Sequence, residues 1–239
     1  MKRFLFLILS ILGAFPGWSQ RGAMTFSVTK FELADSLARS LDTLESRSGL
    51  PLENMFKNVK FNVYFKPDFT RSEVNVLNGI IKLNYFWDRK SKEVMLFSDV
   101  FGRRTKVKMD PVDVEELRSE DIPRNELNIQ RFPEDKKTIM GLPVYRVHVS
   151  PGDRDDFGMD LYVCPDLKIP FVGYGIEQVS TELLGGTPLS YQFNQGVMSI
   201  QFELTGLENH VDDKVFRFPG GYTEKTMDEY LNEFGSFIH

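Results

Sequence analysis

Apolar and polar residues alternate most clearly at 59–66, where Val59, Phe61, Val63 and Phe65 interleave with Lys60, Asn62, Tyr64 and Lys66. A period of two is what a half-buried strand requires, because successive side chains leave its two faces. Lys66-Pro67-Asp68 then turns the chain, and Thr70 to Leu77 predicts a second strand. Asn78-Gly79 favours a tight hairpin in which both central residues take positive φ. Strands over Ile80 to Trp87, Lys92 to Ser98 and Arg103 to Met109 extend the run into an antiparallel meander. Upstream, Met24 to Leu33 reads as a strand, and Leu37, Leu41 and Leu44 give one apolar stripe of a short helix before the Gly49-Leu50-Pro51 break.

Beyond the meander the pattern is less regular. Asp110 to Asp135 is acidic and mixed in charge, with a helical turn or two at Val112 to Leu117, and reads as an excursion within one domain. Strands resume at Thr138 to Val149, Phe157 to Cys164, Leu189 to Asn194 and Val197 to Gly206, broken at Gly185-Gly186 and Gln195-Gly196. Met227, Tyr230, Leu231 and Phe234 are spaced as one face of a short C-terminal helix that docks on the sheet. The strand at Ile80 to Trp87 is apolar on both faces, with Ile80 and Phe86 on one and Ile81, Leu83, Tyr85 and Trp87 on the other. Something must shield part of its second face.

The N-terminus changes the picture of where this domain works. Lys2-Arg3, the apolar run Phe4 to Ala14 and the small residues around Ser19 form the three regions of a signal peptide. Cleavage after Ser19 leaves about 220 residues, 20–239, as a single domain in the periplasm or outside the cell. A retained anchor would want roughly 20 apolar residues, more than this run supplies. The single cysteine, Cys164, excludes both an internal disulfide and an N-terminal lipid anchor. Loss of two positive charges takes the net charge from −5 to −7, which disfavours nucleic acid and anionic membranes as partners. With 41% hydrophobic residues and 21 phenylalanines the chain has material for a core.

Little in the sequence points to catalysis or metal. His148, His210 and His239 have no ligand partner at helical or strand spacing, and Asp153, Asp155 and Asp156 lack the remaining oxygens of a calcium loop. There is no Gly-x-Ser-x-Gly elbow, and Cys164 before Pro165 reads as a small buried hydrophobe. Carboxylate pairs meet only in three dimensions, so none is selected. The expectation is a protein that is not an enzyme and uses no cofactor or metal. What remains is apolar surface in excess of a one-sided sheet, which either lines a pocket for an apolar ligand or simply fills a core.

Phe65-Lys66-Pro67, Arg71-Ser72-Glu73-Val74, Asn78-Gly79, Tyr85 and Trp87-Asp88 resemble the strand run of LolA-like periplasmic lipoprotein carriers. Lys137 to Tyr145, Leu161-Tyr162-Val163, Pro165-Asp166-Leu167, Gly186, Pro188-Leu189, Phe216 and Pro219-Gly220-Gly221-Tyr222 resemble Bacteroidetes-type exported domains of that superfamily. The resemblance spans Met24 to Tyr222. It implies a mainly β, α+β fold: a strongly curved antiparallel sheet, an unclosed barrel, with short helices over its concave side and a cavity for acyl chains. Arg71 matches the family's arginine, which can hold a helical lid; an exposed arginine at a sheet edge is the simpler alternative. Leu33 to Val59 is an insertion relative to that pattern, and lipoprotein sorting is not carried over.

The leading expectation is a carrier for a lipid or other hydrophobic ligand, lined by Phe61, Phe65, Arg71, Val74, Leu83, Tyr85, Trp87 and Phe97. Its rival is an envelope module that holds a protein partner through a sheet edge or the acidic 110–135 segment.

Overall fold

The computed structural model describes residues 21–35, 38–39, 46, 57–76, 79–109, 127–151, 158–169, 181–195 and 198–235. The expected signal peptide, the greater part of the helix expected over Ala34 to Glu45, the turn expected at Val112 to Leu117, Asn78 and Asp153 to Asp156 lie outside them.

Twelve strands form one sheet. They are β1 (Gly22–Leu33), β2 (Lys60–Lys66), β3 (Phe69–Val76), β4 (Ile81–Asp88), β5 (Glu93–Val100), β6 (Arg103–Met109), β7 (Leu127–Ile139), β8 (Leu142–Pro151), β9 (Met159–Cys164), β10 (Thr187–Gln195), β11 (Met198–Glu208) and β12 (Thr223–Lys225). Two short helices are described, α1 (Thr181–Leu184) and α2 (Met227–Gly235). The spatial order is β12-β6-β5-β4-β3-β2-β1-β11-β10-β9-β8-β7, so the first strand sits in the middle and joins two meanders. Every pairing is antiparallel except that of β12 with β6. The sheet is curved and does not close, the half-barrel that the LolA-like resemblance implies.

Register irregularities help to bend it. They fall between Thr25 and Phe26 and between Val28 and Lys30 in β1, between Pro188 and Ser190 in β10, and between Phe132 and Lys136 in β7. An extra residue on one strand bends that strand and sharpens its twist. On the inner face Met24, Phe26, Phe61, Val63, Leu161, Val163, Tyr191 and Leu204 form the main core, joined by Leu184 of α1. A second, smaller core gathers Val94, Leu96, Val107 and Met109 under Tyr230 and Met227 of α2. The C-terminal helix therefore docks through Met227 and Tyr230, whereas Leu231, expected on the same face, is 51% exposed.

Two readings of the sequence change. Leu127 to Asp135, expected in a connector, is the first part of β7, a 13-residue edge strand. Its charged and polar residues fit an edge that faces water, which is why its alternation does not stand out. Thr138 to Val149, expected as one strand, is a hairpin that turns at Met140 (φ 51°) and Gly141 (φ 80°). Both positions need positive φ; Met140 fills one of them, where asparagine or glycine would have marked the turn.

After β11 the chain crosses the outer face as a strap, 209–222, containing a 3-10 turn at Asp213–Phe216. It then pairs as β12 with the far edge strand, an element that the sequence pattern does not mark.

Candidate functional site

The first meander carries different chemistry on its two faces. Register across β2 to β6 aligns Phe65 with Thr70, Trp87, Val94 and Met109, then Val63 with Ser72, Tyr85, Leu96 and Val107, and then Phe61 with Val74, Leu83, Ser98 and Thr105. All of these point inward. The small residues Thr70, Ser72 and Val74 of β3 thus lie in a row between larger side chains on β2 and β4. Thr70 and Ser72 are 1% and 2% exposed, whereas Leu83, Tyr85 and Trp87 on the neighbouring strand stay half-buried. Arg89 stands at one end of the row, donating to the Thr70 hydroxyl at 3.2 Å and to the Lys66 carbonyl at 2.6 Å, with its guanidinium 6.0 Å from the Trp87 ring centroid.

Six of the eight expected lining residues share this face: Phe61, Phe65 and Val74 are buried in the main core, Tyr85 and Trp87 border the smaller one, and Leu83 is half-buried beside them. Arg71 and Phe97 do not join them. The period of two puts Arg71 beside Tyr64 and Phe86, and Phe97 beside Asn84, on the outer face.

There Arg71 is a fastening for the strap. Its Nη1 donates to the Val215 carbonyl at 2.8 Å, Nε and Nη2 to Asn84 Oδ1 at 3.0 and 2.7 Å, and Nη2 to Glu73 at 2.5 Å. The guanidinium also lies against the Tyr64 and Phe86 rings, 5.4 and 5.3 Å from their centroids. Burial, and after it the Glu73 carboxylate, pushes the Tyr64 phenol above its ordinary pKa, so this wall stays neutral. Arg21 adds an ion pair to Asp213 at 2.9 Å. Arg71→Met should release the strap, because removing a charge-assisted donor set costs about 2 kcal/mol and takes from Glu73 its cation, leaving it the Asn75 amide. Limited proteolysis should then cut within 209–222 while the rest of the sheet resists; an unchanged digestion pattern would contradict this role.

The strap brings Phe216 and Phe218 over Phe69, Phe86 and Phe97. Phe86 meets Phe97 and Phe218 edge-on with centroids at 5.1 Å, and Phe69 meets Phe216 at 5.9 Å and 89°. This is the shield that the two-faced β4 requires: Phe86 is 1% exposed on the side that a one-layer sheet would leave wet. The sequence signal that could have found it is the Phe216-x-Phe218 pair leading into Pro219-Gly220-Gly221-Tyr222, aromatic residues in a segment too broken to be a strand.

The outer face of the second meander is polar. Arg146 stands between Asp135 and Asp160 at 3.6 and 3.7 Å, His148 Nδ1 lies 3.1 Å from Asp160, and Lys137 pairs with Glu203 at 2.9 Å. One guanidinium thus pairs with both Asp135 and Asp160. Cys164 is buried at the end of β9, where burial pushes its thiol pKa up. Among the described residues, no group of His, Cys, Asp and Glu is arranged to hold a metal, and no helix is long and apolar enough to cross a membrane.

Both sheet edges are blunted. β7 carries Pro133, a register break and the charges Glu134, Asp135, Lys136 and Lys137, and β12 has only three residues. Such edges are poor templates for an added strand.

No family model matches the chain, and no curated protein does. Among solved structures, PNGF-II is similar at 15% identity and a TM-score of 0.51, over 90% of this chain and 33% of that one. This chain therefore spans about a third of the PNGF-II chain, and at this identity the likeness is one of fold. The Mycobacterium tuberculosis lipoprotein LppX aligns at 10% identity and a TM-score of 0.38, over 88% of this chain and 98% of that one. A structure of the Pseudomonas aeruginosa MucA/MucB complex aligns at 12% identity and a TM-score of 0.38, over 85% of this chain and 57% of that one.

Proposed function

We propose that this chain is an exported, non-enzymatic binding or carrier protein for a lipid or another apolar ligand of the cell envelope. One observation carries the reading: on the inner face, where the main core meets the smaller one, half-buried Leu83, Tyr85 and Trp87 lie beside the small, buried Thr70, Ser72 and Val74. An extended strip of mostly apolar side chains with a few hydroxyls suits an alkyl or acyl chain, which gains about 0.8 kcal/mol per methylene removed from water. The small residues are buried, so uptake requires an opening movement above β3. The blunted edges count against the rival reading in its strand-addition form.

Native mass spectrometry of the whole protein, purified from envelope fractions without detergent, should show a bound mass that organic extraction recovers as lipid. Trp87→Ala should lower its occupancy at least severalfold, because the ring is part of that strip. Repeated isolation of the bare chain mass, with the same result after incubation with fatty acid and phospholipid, would overturn the proposal.

A further inference from the structure

Beneath the strap, on the face opposite this strip, lies a cavity of about 240 Å³. Phe69, Phe86, Phe216 and Phe218 wall it, and the carboxylates of Asp88 and Glu93 stand among its lining. It is smaller than the roughly 300–1,000 Å³ of drug-sized sites, so it fits a single head group or a small solute. Phe218, at 55% exposure, borders it although its ring stacks on Phe97 at 5.5 Å.

The rings already attract cations. Lys66 Nζ lies 4.7 Å from the Phe216 centroid and 5.4 Å from that of Phe69, Arg21 lies 5.8 Å from Phe216, and Arg71 lies 5.3 Å from Phe86. A cation within about 6 Å of an aromatic face is held by the ring quadrupole. None of these three cations lines the cavity, so they occupy the cluster from outside it. The one cation in the lining, Lys108, is engaged by Glu93 in an ion pair. The three charged groups of the lining therefore sum to one negative charge, and Asp88 holds its position through bonds from the Lys90 and Ser91 amides at 2.9 and 3.3 Å. Four aromatic rings, a lining whose own charges sum to one negative and room for one small group make the arrangement that receives an alkylated ammonium, whose diffuse charge is cheap to desolvate.

We infer that this cavity binds a small organic cation of the quaternary or methylated ammonium type, caged by Phe69, Phe86, Phe216 and Phe218 and balanced by Asp88. The site shares no residue with the inner-face strip and stands without it.

Titration calorimetry of the whole chain with choline chloride tests the inference. Choline should saturate, and its uncharged tert-butyl analogue should bind about tenfold more weakly, since the shape is kept and the charge is lost. Phe218→Ala should weaken choline about tenfold and Phe218→Tyr should restore it; Asp88→Asn, which keeps an acceptor for the two amides, should weaken it several-fold. Circular dichroism and the melting temperature of each variant separate loss of the site from loss of the fold. Co-sedimentation with phosphatidylcholine vesicles, competed by choline, would assign the cation to a lipid head group, and choline binding without co-sedimentation would assign it to a free solute; either supports the site. Equal affinity for the uncharged analogue, absence of saturation by choline, or a folded Phe218→Ala protein with unchanged affinity would each overturn it.

Discussion

Phe26→Ala should cost about 3–5 kcal/mol, the usual toll of deleting a buried ring, out of a net stability on the order of 5–15 kcal/mol. Phe26 is 0% exposed and sits on β1, the strand that joins the two meanders. Its ring touches Phe61 on one side and Tyr191 on the other, with centroids at 5.8 and 5.7 Å. Removing it opens a void at the seam where neither meander can collapse inward without breaking the β1 ladders. Urea unfolding should show a much lower midpoint with an unchanged slope, whereas Phe101→Ala, at a residue 65% exposed, should stay within about 0.5 kcal/mol of the parent. A loss below about 1 kcal/mol for Phe26→Ala would mean that the seam is not a core.

Gly186→Ala should be nearly as damaging although it adds one methyl group. A Cβ at 186 would press on the Cys164 carbonyl oxygen and lie 2.7 Å from its carbon and 2.9 Å from Pro165 Cα. These are backbone atoms of β9 and its turn, and they cannot swing aside as a side chain would. The opposite side is pinned as well, since the Gly186 amide donates to the Thr181 carbonyl of α1 at 3.0 Å. The substitution should cost about 3 kcal/mol, at the upper end for overpacking, and lower the melting temperature by roughly 6–12 °C for a domain of this size. Calorimetric melting checks this; a shift below about 2 °C would show that the Cys164–Pro165 backbone against Gly186 gives way easily.

How much could be read in the residues alone follows from where each strand's two faces go. β2 and β6 have one buried and one wetter side, so alternation marks them, and Arg103–Met109 is placed to the residue. β7 lies at an edge, where polar and charged residues suit a strand that meets water, and its first half therefore passes for a connector. β12 is three residues held by pairing with β6, and no local pattern encodes a strand that short. The site divides in the same way. Phe61, Phe65, Val74, Leu83, Tyr85 and Trp87 share a face because two-residue periodicity carries across each hairpin register. Arg71 and Phe97 part from them by that same periodicity. The strap that gives Arg71 and Phe97 their partners arrives from more than a hundred residues away, beyond the reach of any local pattern.

Ser27 and Thr205, on neighbouring strands, bond through their hydroxyls at 3.0 Å although 178 positions separate them. A ribosome must therefore finish nearly the whole chain before the central ladder can zip. Pairings of such long range are slow to form, because the cost of closing the loop falls due before the contact is gained. Until residue 208 emerges, β1 is paired on its β2 side alone, and its other edge waits for a partner made near the end of synthesis.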